Sequence, residues 1–392
     1  MKCRMLLLLA VLMMALPACR AAAPDGGVVV GAARTDAYLP LLKGKRVALF
    51  SNQTGVVGDR HVLDVLLDNG VNVVTIFSPE HGFRGKADAG EKVSSSVDAK
   101  TGTPIYSLYG VKGGAPDDEE MSKFDVLVSD IQDVGLRFYT YYITMVRLMD
   151  RCAEYGKQMV VLDRPNPNGF YVDGPILDMR FKSGVGSLPI PVVHGMTLGE
   201  LARMVNGEHW LADGRKCRLK VVTCQGYTHQ TRYTLPVPPS PNLPNMKAIY
   251  LYPSLCYFEA TDVSLGRGTD LPFQQFGHPD MKICSYRFTP ESREGAKNPP
   301  QLGHTCYGYN LSQLSDSAIW SRGLDLSYLI KAYRMLNVGD KFFTPFFEKL
   351  IGVDYVRPLI EMGKSADEIK ACWAKDVAKF KKQRRKYLLY KE

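Results

Sequence analysis

The 392-residue sequence lacks the short motifs that identify several common enzyme classes. There is no H-E-x-x-H and no C-x-x-C, which argues against a zinc protease, a zinc ribbon and a thioredoxin-like centre. G-x-S-x-G and S-x-x-K are missing too, so the usual serine nucleophiles are not supported. Because G-x-G-x-x-G and the Walker loop are also absent, neither a dinucleotide nor a nucleoside triphosphate is an expected ligand. We expect no cofactor.

The composition, 45% apolar and 23% charged, is that of a soluble globular protein, and the length predicts two domains. The formal net charge is +9, and much of the excess lies in residues 375–392. This segment is either a patch for an anionic polymer or the solvated face of a terminal helix, and we favour the second. Without an aromatic ladder or a base-reading motif, nucleic acid is not an expected partner.

The amino terminus has the pattern of a targeting signal. Lys2 and Arg4 precede an apolar run over residues 5–16, which is too short to span a bilayer but suits a signal peptide. The following Leu-Pro-Ala-Cys resembles a bacterial lipobox with lipid attachment at Cys19, although cleavage without lipid is the alternative. We therefore predict a signal peptide over residues 1–18, a tether over 19–35, and an exported, membrane-anchored protein of the cell envelope. No later stretch is long enough to be a transmembrane helix.

From residue 45 onward, short apolar runs alternate with helical patterns. Apolar runs without polar alternation, separated by helices, indicate a parallel sheet covered on both faces. We predict an α/β fold with a Rossmann-like, doubly wound, mainly parallel sheet over residues 36–235 and a smaller α+β domain over 247–392. The Pro-rich residues 236–246 are predicted to link the two domains. Strands are predicted at residues 46–50, 71–77, 105–108, 124–129, 159–162 and 218–223, and helices at 59–69 and 140–155.

Polar, glycine-containing segments follow four of the predicted strands. They cover residues 51–55 (SNQTG), 78–85 (SPEHGFRG), 130–141 (DIQDVGLRFYTY) and 163–169 (DRPNPNG). The carboxyl ends of parallel strands lie along one edge of the sheet, where ligands bind in open α/β proteins. We therefore expect the four segments to converge on one site.

Carboxylates in these segments suggest acid–base chemistry. Glu80 leaves an apolar strand, so partial desolvation should raise its pKa and suit it to act as a general acid. Asp130 and Asp133 are candidates for a second carboxylate, with Asp163 a third, since glycoside hydrolysis commonly uses such a pair. Some of these aspartates could instead cap helices or accept backbone donors. His81 is predicted to assist Glu80.

Other residues of the same segments are predicted to contact the substrate. Arg84, Arg137 and Arg267 lie among glycines or turn residues and could pair with a substrate carboxylate. Tyr139 could stack on a sugar ring or, like Tyr141, begin the next helix and pack in the core. The remaining predicted contacts are Asn52, Asp163, Arg164 and Asn166.

A metal site is the weaker alternative for this chemistry. His81, Asp130, Asp133 and His194 could together supply nitrogen and oxygen ligands. However, no dense metal-binding spacing is present in the sequence. We therefore expect no metal.

The same segments resemble the NamZ family of exo-β-N-acetylmuramidases. The resemblance rests on residues 78–85 with Ala89-Gly-Glu91, on residues 130–141, on Asp163-Arg-Pro-Asn-Pro167 with Asp173-Gly-Pro175, and on Gly266-Arg-Gly-Thr269 with Pro272-Phe273. It covers roughly residues 36 to 391. These long motifs occur in the family order, which makes the resemblance specific.

The resemblance implies release of N-acetylmuramic acid from the non-reducing end of peptidoglycan fragments, in a cleft between the two domains. Glu80 matches the residue regarded as catalytic in the family. The arginines would then bind the lactyl carboxylate of muramic acid. Two other functions stay open from the residues alone: a lipid-anchored protein that binds wall fragments without cleaving them, and a metal-dependent envelope hydrolase.

Overall fold

The computed structural model describes residues 27–79, 83, 96–108 and 114–392. Its strands are β1 (Arg46–Ser51), β2 (Val56–Val57), β3 (Arg60–His61), β4 (Asn72–Ser78), β5 (Ser96–Val97), β6 (Pro104–Ser107), β7 (Val126–Asp130), β8 (Gln158–Leu162), β9 (Arg218–Val222), β10 (Gln275–His278), β11 (Tyr286–Phe288) and β12 (Cys306–Asn310). Its helices are α1 (Thr35–Leu42), α2 (Val62–Asp68), α3 (Asp118–Ser122), α4 (Tyr141–Glu154), α5 (Leu198–Gly207), α6 (Met246–Leu255), α7 (Asp316–Arg322), α8 (Ser327–Leu336), α9 (Phe346–Ile351), α10 (Val356–Glu361) and α11 (Ala366–Arg384).

A seven-stranded sheet in the order β5-β6-β4-β1-β7-β8-β9 forms the centre of the first domain. All neighbouring strands are parallel except the edge pair β5 and β6. Along β1, Ala48 and Phe50 belong to one hydrophobic cluster and Val47 and Leu49 to another, so apolar residues cover both faces. Numbered along the chain, the parallel strands have the Rossmann order 3-2-1-4-5-6, which confirms the predicted fold class.

The strand order reverses between β1 and β7. The segments that follow these two strands therefore leave the sheet at its topological switch point, where open α/β sheets bind ligands. These segments are residues 52–55 and 131–140, both of which the sequence marks as polar loops. The fold thus brings two of the four predicted segments to one place.

Most predicted elements occur with shifts of one to three residues at their ends. Two T/S-x-x-E spacings in the sequence predict capping boxes, and both are present: Thr197 and Glu200 begin α5, and Ser365 and Glu368 begin α11. The predicted helix over residues 59–69 starts three residues late, because Arg60–His61 pairs with Val56–Val57 as a small antiparallel ribbon.

The predicted tether over residues 19–35 is too long. Residues from Val28 onward pack against the sheet: Val28 is buried and Val29 pairs with Gln225. Gly31 donates its N–H to the carbonyl of Asp163, and a Cβ at this position would lie 2.4 Å from the carbonyl oxygen of Val222. Only glycine fits this close approach to the sheet. Within the described residues, the folded part therefore begins before residue 36, where the first domain was predicted to start.

The second domain is smaller and contains the antiparallel sheet β10-β12-β11 with helices α6–α11. It does not have a core of its own. One hydrophobic cluster extends from Ala48 in β1 to Tyr387 near the carboxyl end. The Pro-rich segment before α6 is partly buried, at Ser240, Asn242 and Leu243 among others. Its Asn245 caps α6 by accepting the N–H of Ala248 at 3.0 Å.

The carboxyl-terminal segment returns to the first domain. Trp373 in α11 donates its indole N–H to Asp173 at 3.0 Å, and the Tyr390 hydroxyl donates to Asp163 at 2.6 Å. Arg384 is buried and donates to the carbonyl of Gly195, whereas the neighbouring lysines of α11 are exposed. The basic segment is thus mainly the solvated face of a helix. No helix in the described ranges is long and apolar enough to cross a membrane.

Tyr390→Phe tests the attachment of this segment. The variant removes the donor to the buried Asp163 carboxylate, and the Cys224 N–H loses its acceptor. We expect the free energy of unfolding to fall by about 1–3 kcal/mol in urea denaturation. Tyr307→Phe is the control, because no described partner bonds the hydroxyl of this half-buried tyrosine. Equal losses in the two variants would contradict the assignment.

Candidate active site

Three adjoining cavities form a groove at the carboxyl end of the parallel sheet. The inner cavity, about 270 Å³, is bordered by Pro79 at the end of β4, and the central cavity is about 120 Å³. These two share Thr140 and Val185. The outer cavity, about 350 Å³, shares Glu259 and Arg267 with the central cavity. The groove therefore runs from the sheet edge to the second domain.

The walls of the groove come from both domains. The loop before α4 supplies Phe138, Tyr139 and Thr140, and the Pro-rich segment supplies Ser240 and Asn242. Asn242 is itself fixed by donating from Nδ2 to the carbonyl of Gly295 at 2.7 Å, which ties this wall to the outer cavity.

Arg267 is positioned by a glycine on each side. Gly266 and Gly268 have φ values of +85° and +77°, in the left-handed region that side chains rarely adopt. A Cβ at Gly268 would also lie 2.3 Å from the carbonyl oxygen of Glu291. The Gly-Arg-Gly sequence is therefore required by the tight path of this loop.

Glu80, His81 and Arg84, like Cys19, lie outside the described residues, and their predicted roles stay predictions. The residues around Glu80 are informative nevertheless. Pro79 borders the inner cavity. Phe83 is buried, and its ring meets the ring of His61 edge-on with centroids 4.9 Å apart.

Asp133 is a buried carboxyl group with an oxygen that has no partner. Its Oδ1 accepts the N–H of Gly135 at 2.7 Å, and no described group bonds Oδ2. Burial raises the pKa of Asp133 to about 7, although nearby backbone N–H groups lower it. Burial raises the pKa of Tyr139, which lines the central cavity, well above its usual value, and the charge of the nearby Asp133 adds a smaller contribution. Asp133 can therefore carry a proton at neutral pH just behind the groove wall.

Asp130 and Arg164, predicted for catalysis and substrate binding, instead bind each other. Arg164 donates from Nε and Nη2 to the two carboxylate oxygens of Asp130 at 2.6 and 2.8 Å, and both side chains are buried. Arg164 also donates to the carbonyl of Val56 at 2.9 Å. The ion pair joins the end of β7 to the residue two positions after β8. Neither side chain borders the groove.

Asp163 has a structural role instead of contacting substrate. Its oxygens accept from the Thr197 hydroxyl at 2.7 Å, the Gly199 N–H at 2.8 Å and the Tyr390 hydroxyl. Burial raises its pKa to about 6, although these donors lower it. The carboxylate therefore fastens α5 and the carboxyl-terminal segment to the end of β8.

Two asparagines predicted to bind substrate are also buried and locally bonded. Asn52 accepts from the backbone N–H and the hydroxyl of Thr54 at 3.0 and 2.6 Å. Asn166 donates to the carbonyl of Met196 at 2.9 Å and accepts from the N–H of Asn168 at 2.8 Å. Both predictions are corrected, because these bonds occupy side chains that have almost no exposed surface.

Arg137, predicted to bind a substrate carboxylate, is fully buried. Its Nη1 donates to the carbonyls of Pro175 and Ile190 at 2.7 and 3.1 Å, and its Nη2 to those of Leu350 and Ile351 at 2.9 and 2.7 Å. The guanidinium therefore joins the first domain to the end of α9, and the substrate-binding prediction for Arg137 is wrong.

Tyr139 and Arg267 do border the groove, with constrained side chains. The hydroxyl of Tyr139 donates to the carbonyl of Pro239 at 2.8 Å, and its ring meets that of Tyr141 edge-on at 4.7 Å. Arg267 donates to Oε1 of Glu259 from Nη2 and, at 3.2 Å, from Nε, so the charges largely cancel. Neither group offers a free charge to the groove.

His194, the described histidine of the alternative metal set, is buried and accepts the N–H of Met196 at 3.3 Å through Nδ1. Burial lowers its pKa to about 3. The described residues contain no cluster of three His, Cys, Asp or Glu side chains suited to a metal ion.

The sequence reasoning missed several residues of the groove. Thr140, Thr144 and Arg147 all border the inner cavity. Their spacing of four and three residues places the N-cap Thr140 and the α4 residues Thr144 and Arg147 on one side of the helix as a polar stripe. That stripe was the available signal. The contributions of Asn242 and Glu259 have no comparable local pattern.

Comparisons with known proteins now decide the family. A model of the amino-terminal domain of the exo-β-N-acetylmuramidase NamZ matches residues 47–247, and a model of its carboxyl-terminal domain matches residues 250–390. The chain belongs to the NamZ family. Peptidoglycan β-N-acetylmuramidase NamZ of Bacillus subtilis (strain 168) is 39% identical over 370 residues, which cover 90% of this chain and 89% of the relative.

Two crystal structures of relatives have the same fold as this NamZ-family chain. Both are DUF1343 family proteins of Bacteroides fragilis NCTC 9343, and each match covers 94% of this chain and 100% of the relative. One is 64% identical with a TM-score of 0.89, and the other is 29% identical with a TM-score of 0.77.

Arg137→Met tests the junction of the two domains. Four carbonyls would lose their shared donor in a buried site, so we expect the free energy of unfolding to fall by about 3–5 kcal/mol in chemical denaturation. Arg180→Met is a matched control in an exposed ion pair, with an expected loss of at most about 1 kcal/mol. Comparable losses in both variants would refute the structural role of Arg137.

Asp133→Asn tests the raised pKa. The carboxyl is protonated in the folded state up to about pH 7 but ionises near pH 4 when unfolded, so the wild type loses stability between these values. The amide has no such cost. Above pH 7 we expect the variant to be more stable than the wild type by on the order of 2–4 kcal/mol, with no difference near pH 4. Denaturation at several pH values measures this, and a pH-independent difference would contradict it.

Proposed function

We propose that the protein is an exo-acting β-N-acetylmuramidase that releases N-acetylmuramic acid from the non-reducing end of peptidoglycan fragments, and that the groove is its active site. The supporting observation is the relation to the B. subtilis peptidoglycan β-N-acetylmuramidase over 90% of this chain and 89% of that relative, together with a groove at the carboxyl edge of a Rossmann-like sheet. The activity belongs to cell-wall turnover.

Glu80 is the proposed general acid, assisted by His81. It directly follows Pro79, which borders the inner cavity, and this adjacency in the chain supports the proposal that Glu80 acts in the groove. Glycoside hydrolysis needs a proton on the leaving oxygen as the bond to the sugar breaks, and a desolvated glutamic acid supplies it near neutral pH.

Asp133 is the proposed second carboxylate. Asp130 is held in a bidentate pair with Arg164, and Asp163 accepts from three donors. Asp133 is the aspartate of the predicted set with an unbonded oxygen and a pKa raised to about 7. It lines none of the three cavities, so when ionised it would act on the positive charge of the sugar ring from behind the wall that Tyr139 forms.

The proposed location follows from the amino terminus. Removal of residues 1–18 and lipid attachment at Cys19 would export the protein and anchor it to a membrane of the cell envelope. This places the groove in the compartment where peptidoglycan fragments are produced.

The experiment uses a disaccharide with N-acetylmuramic acid at the non-reducing end and measures the free sugar. We expect release by the wild type and a fall in kcat of about 10²–10⁴-fold in Glu80→Gln. Glu119→Gln, at an exposed position in α3, is the control and should keep full activity. Full activity in Glu80→Gln would refute the role of Glu80.

Two further arms complete the test. Asp133→Asn should also lose activity by at least about 10²-fold while it stays folded, since the carboxylate and not the fold is removed. A fragment capped at its non-reducing end with N-acetylglucosamine should resist release of N-acetylmuramic acid. Cleavage of the capped fragment would contradict the exo-acting mode.

A further inference from the structure

Arg147 is a cation in the inner cavity with no counter-charge among the described residues. It lies in α4 with its side chain exposed, and no hydrogen bond or ion pair joins it to another described residue. The cavity lining around it contains no acidic side chain: Pro79, Leu108, Thr140, Ile143, Thr144, Gly184 and Val185. Among the described residues, no negative charge in this cavity would oppose the binding of an anion beside Arg147.

The other described cations of the groove are placed differently. Arg267, at the central and outer cavities, is already paired with Glu259. Lys297 borders only the outer cavity, away from Pro79. Arg147 is consequently the cation best placed to attract an anionic group beside the residue that precedes Glu80.

The backbone opposite Arg147 makes room for its guanidinium. Gly114 has a φ of +60°, and a Cβ there would lie 2.1 Å from Nη1 and 3.0 Å from Cζ of Arg147. The positive φ favours glycine at position 114, and the guanidinium of Arg147 occupies the space beside this glycine.

We propose that Arg147 binds the lactyl carboxylate of the terminal muramic acid, in a subsite whose wall also contains Thr144. This rests on the proposed function and assigns the recognition of the muramyl group within it. The planar guanidinium can form two parallel hydrogen bonds with a carboxylate, which the lysine ammonium cannot reproduce. Arg147 thereby takes the role that the sequence had suggested for Arg137 and Arg267, while the prediction for Arg84 stays a prediction.

The test compares two chromogenic β-glycosides, of N-acetylmuramic acid and of N-acetylglucosamine, which differ only in the lactyl ether. In Arg147→Met we expect kcat/KM for the muramide to fall about 10–100-fold and that for the glucosaminide to stay unchanged. Arg147→Lys should recover part of the loss. Arg267→Met should alter both substrates by similar factors, since Glu259 already neutralises this arginine.

A muramide with its lactyl carboxyl converted to the amide gives a second measurement. The wild type should lose about as much kcat/KM on this amide as Arg147→Met loses on the acid, and Arg147→Met should barely distinguish acid from amide. If Arg147→Met affects muramide and glucosaminide equally, or affects neither, the proposal is wrong. A selective loss in Arg267→Met alone would also overturn it.

Binding of the free sugars separates this inference from the proposed function. Calorimetry should give weaker binding of N-acetylmuramic acid to Arg147→Met than to the wild type, with equal thermal stability of the two proteins. If the wild type neither cleaves muramides nor binds the sugar, the proposed function fails. If the wild type does both and Arg147→Met is unchanged, only the role of Arg147 fails.

Discussion

The groove depends on one buried arginine. Arg137 lies between β7 and α4, and its guanidinium bonds carbonyls from residues 175, 190, 350 and 351. The four carbonyls satisfy both Nη groups of this buried guanidinium, whereas its Nε has no described partner, and they fix the position of the loop that carries it. The next residues of that loop, Phe138, Tyr139 and Thr140, form the wall of the central cavity. The same interaction thus joins the domains and shapes the space between them.

The aspartates at the sheet edge show how similar loops acquire different roles. Asp130 and Asp163 are each satisfied by several donors, and they hold the ends of β7 and β8 in place. Asp133 lies three residues beyond Asp130 but keeps one oxygen unbonded, and burial raises its pKa to about 7. Such an incompletely satisfied buried group lowers stability, which is a common property of residues that serve chemistry.

Much of the fold could be predicted from the sequence because its signals are local. Apolar runs without alternation gave the parallel strands, and the spacing of Thr197 with Glu200 marked the start of α5. The polar segments after the strands indicated the correct edge of the sheet, and the order of motifs indicated the family.

The roles of individual side chains were harder, because they depend on partners far away in the chain. Nothing near Arg137 in the sequence reveals that residues 350 and 351 supply its acceptors, and nothing near Asp163 points to Tyr390. An arginine among glycines therefore resembles a substrate ligand until its partners are known. Arg147 lies within α4 and outside the polar segments that follow the strands, so the sequence analysis did not single it out.

The bond between Tyr390 and Asp163 has a consequence for biosynthesis. Synthesis from the amino end leaves the Asp163 carboxylate without this donor until Tyr390 has left the ribosome, more than two hundred residues later. During that time only the donors of Thr197 and Gly199 are available to the carboxylate.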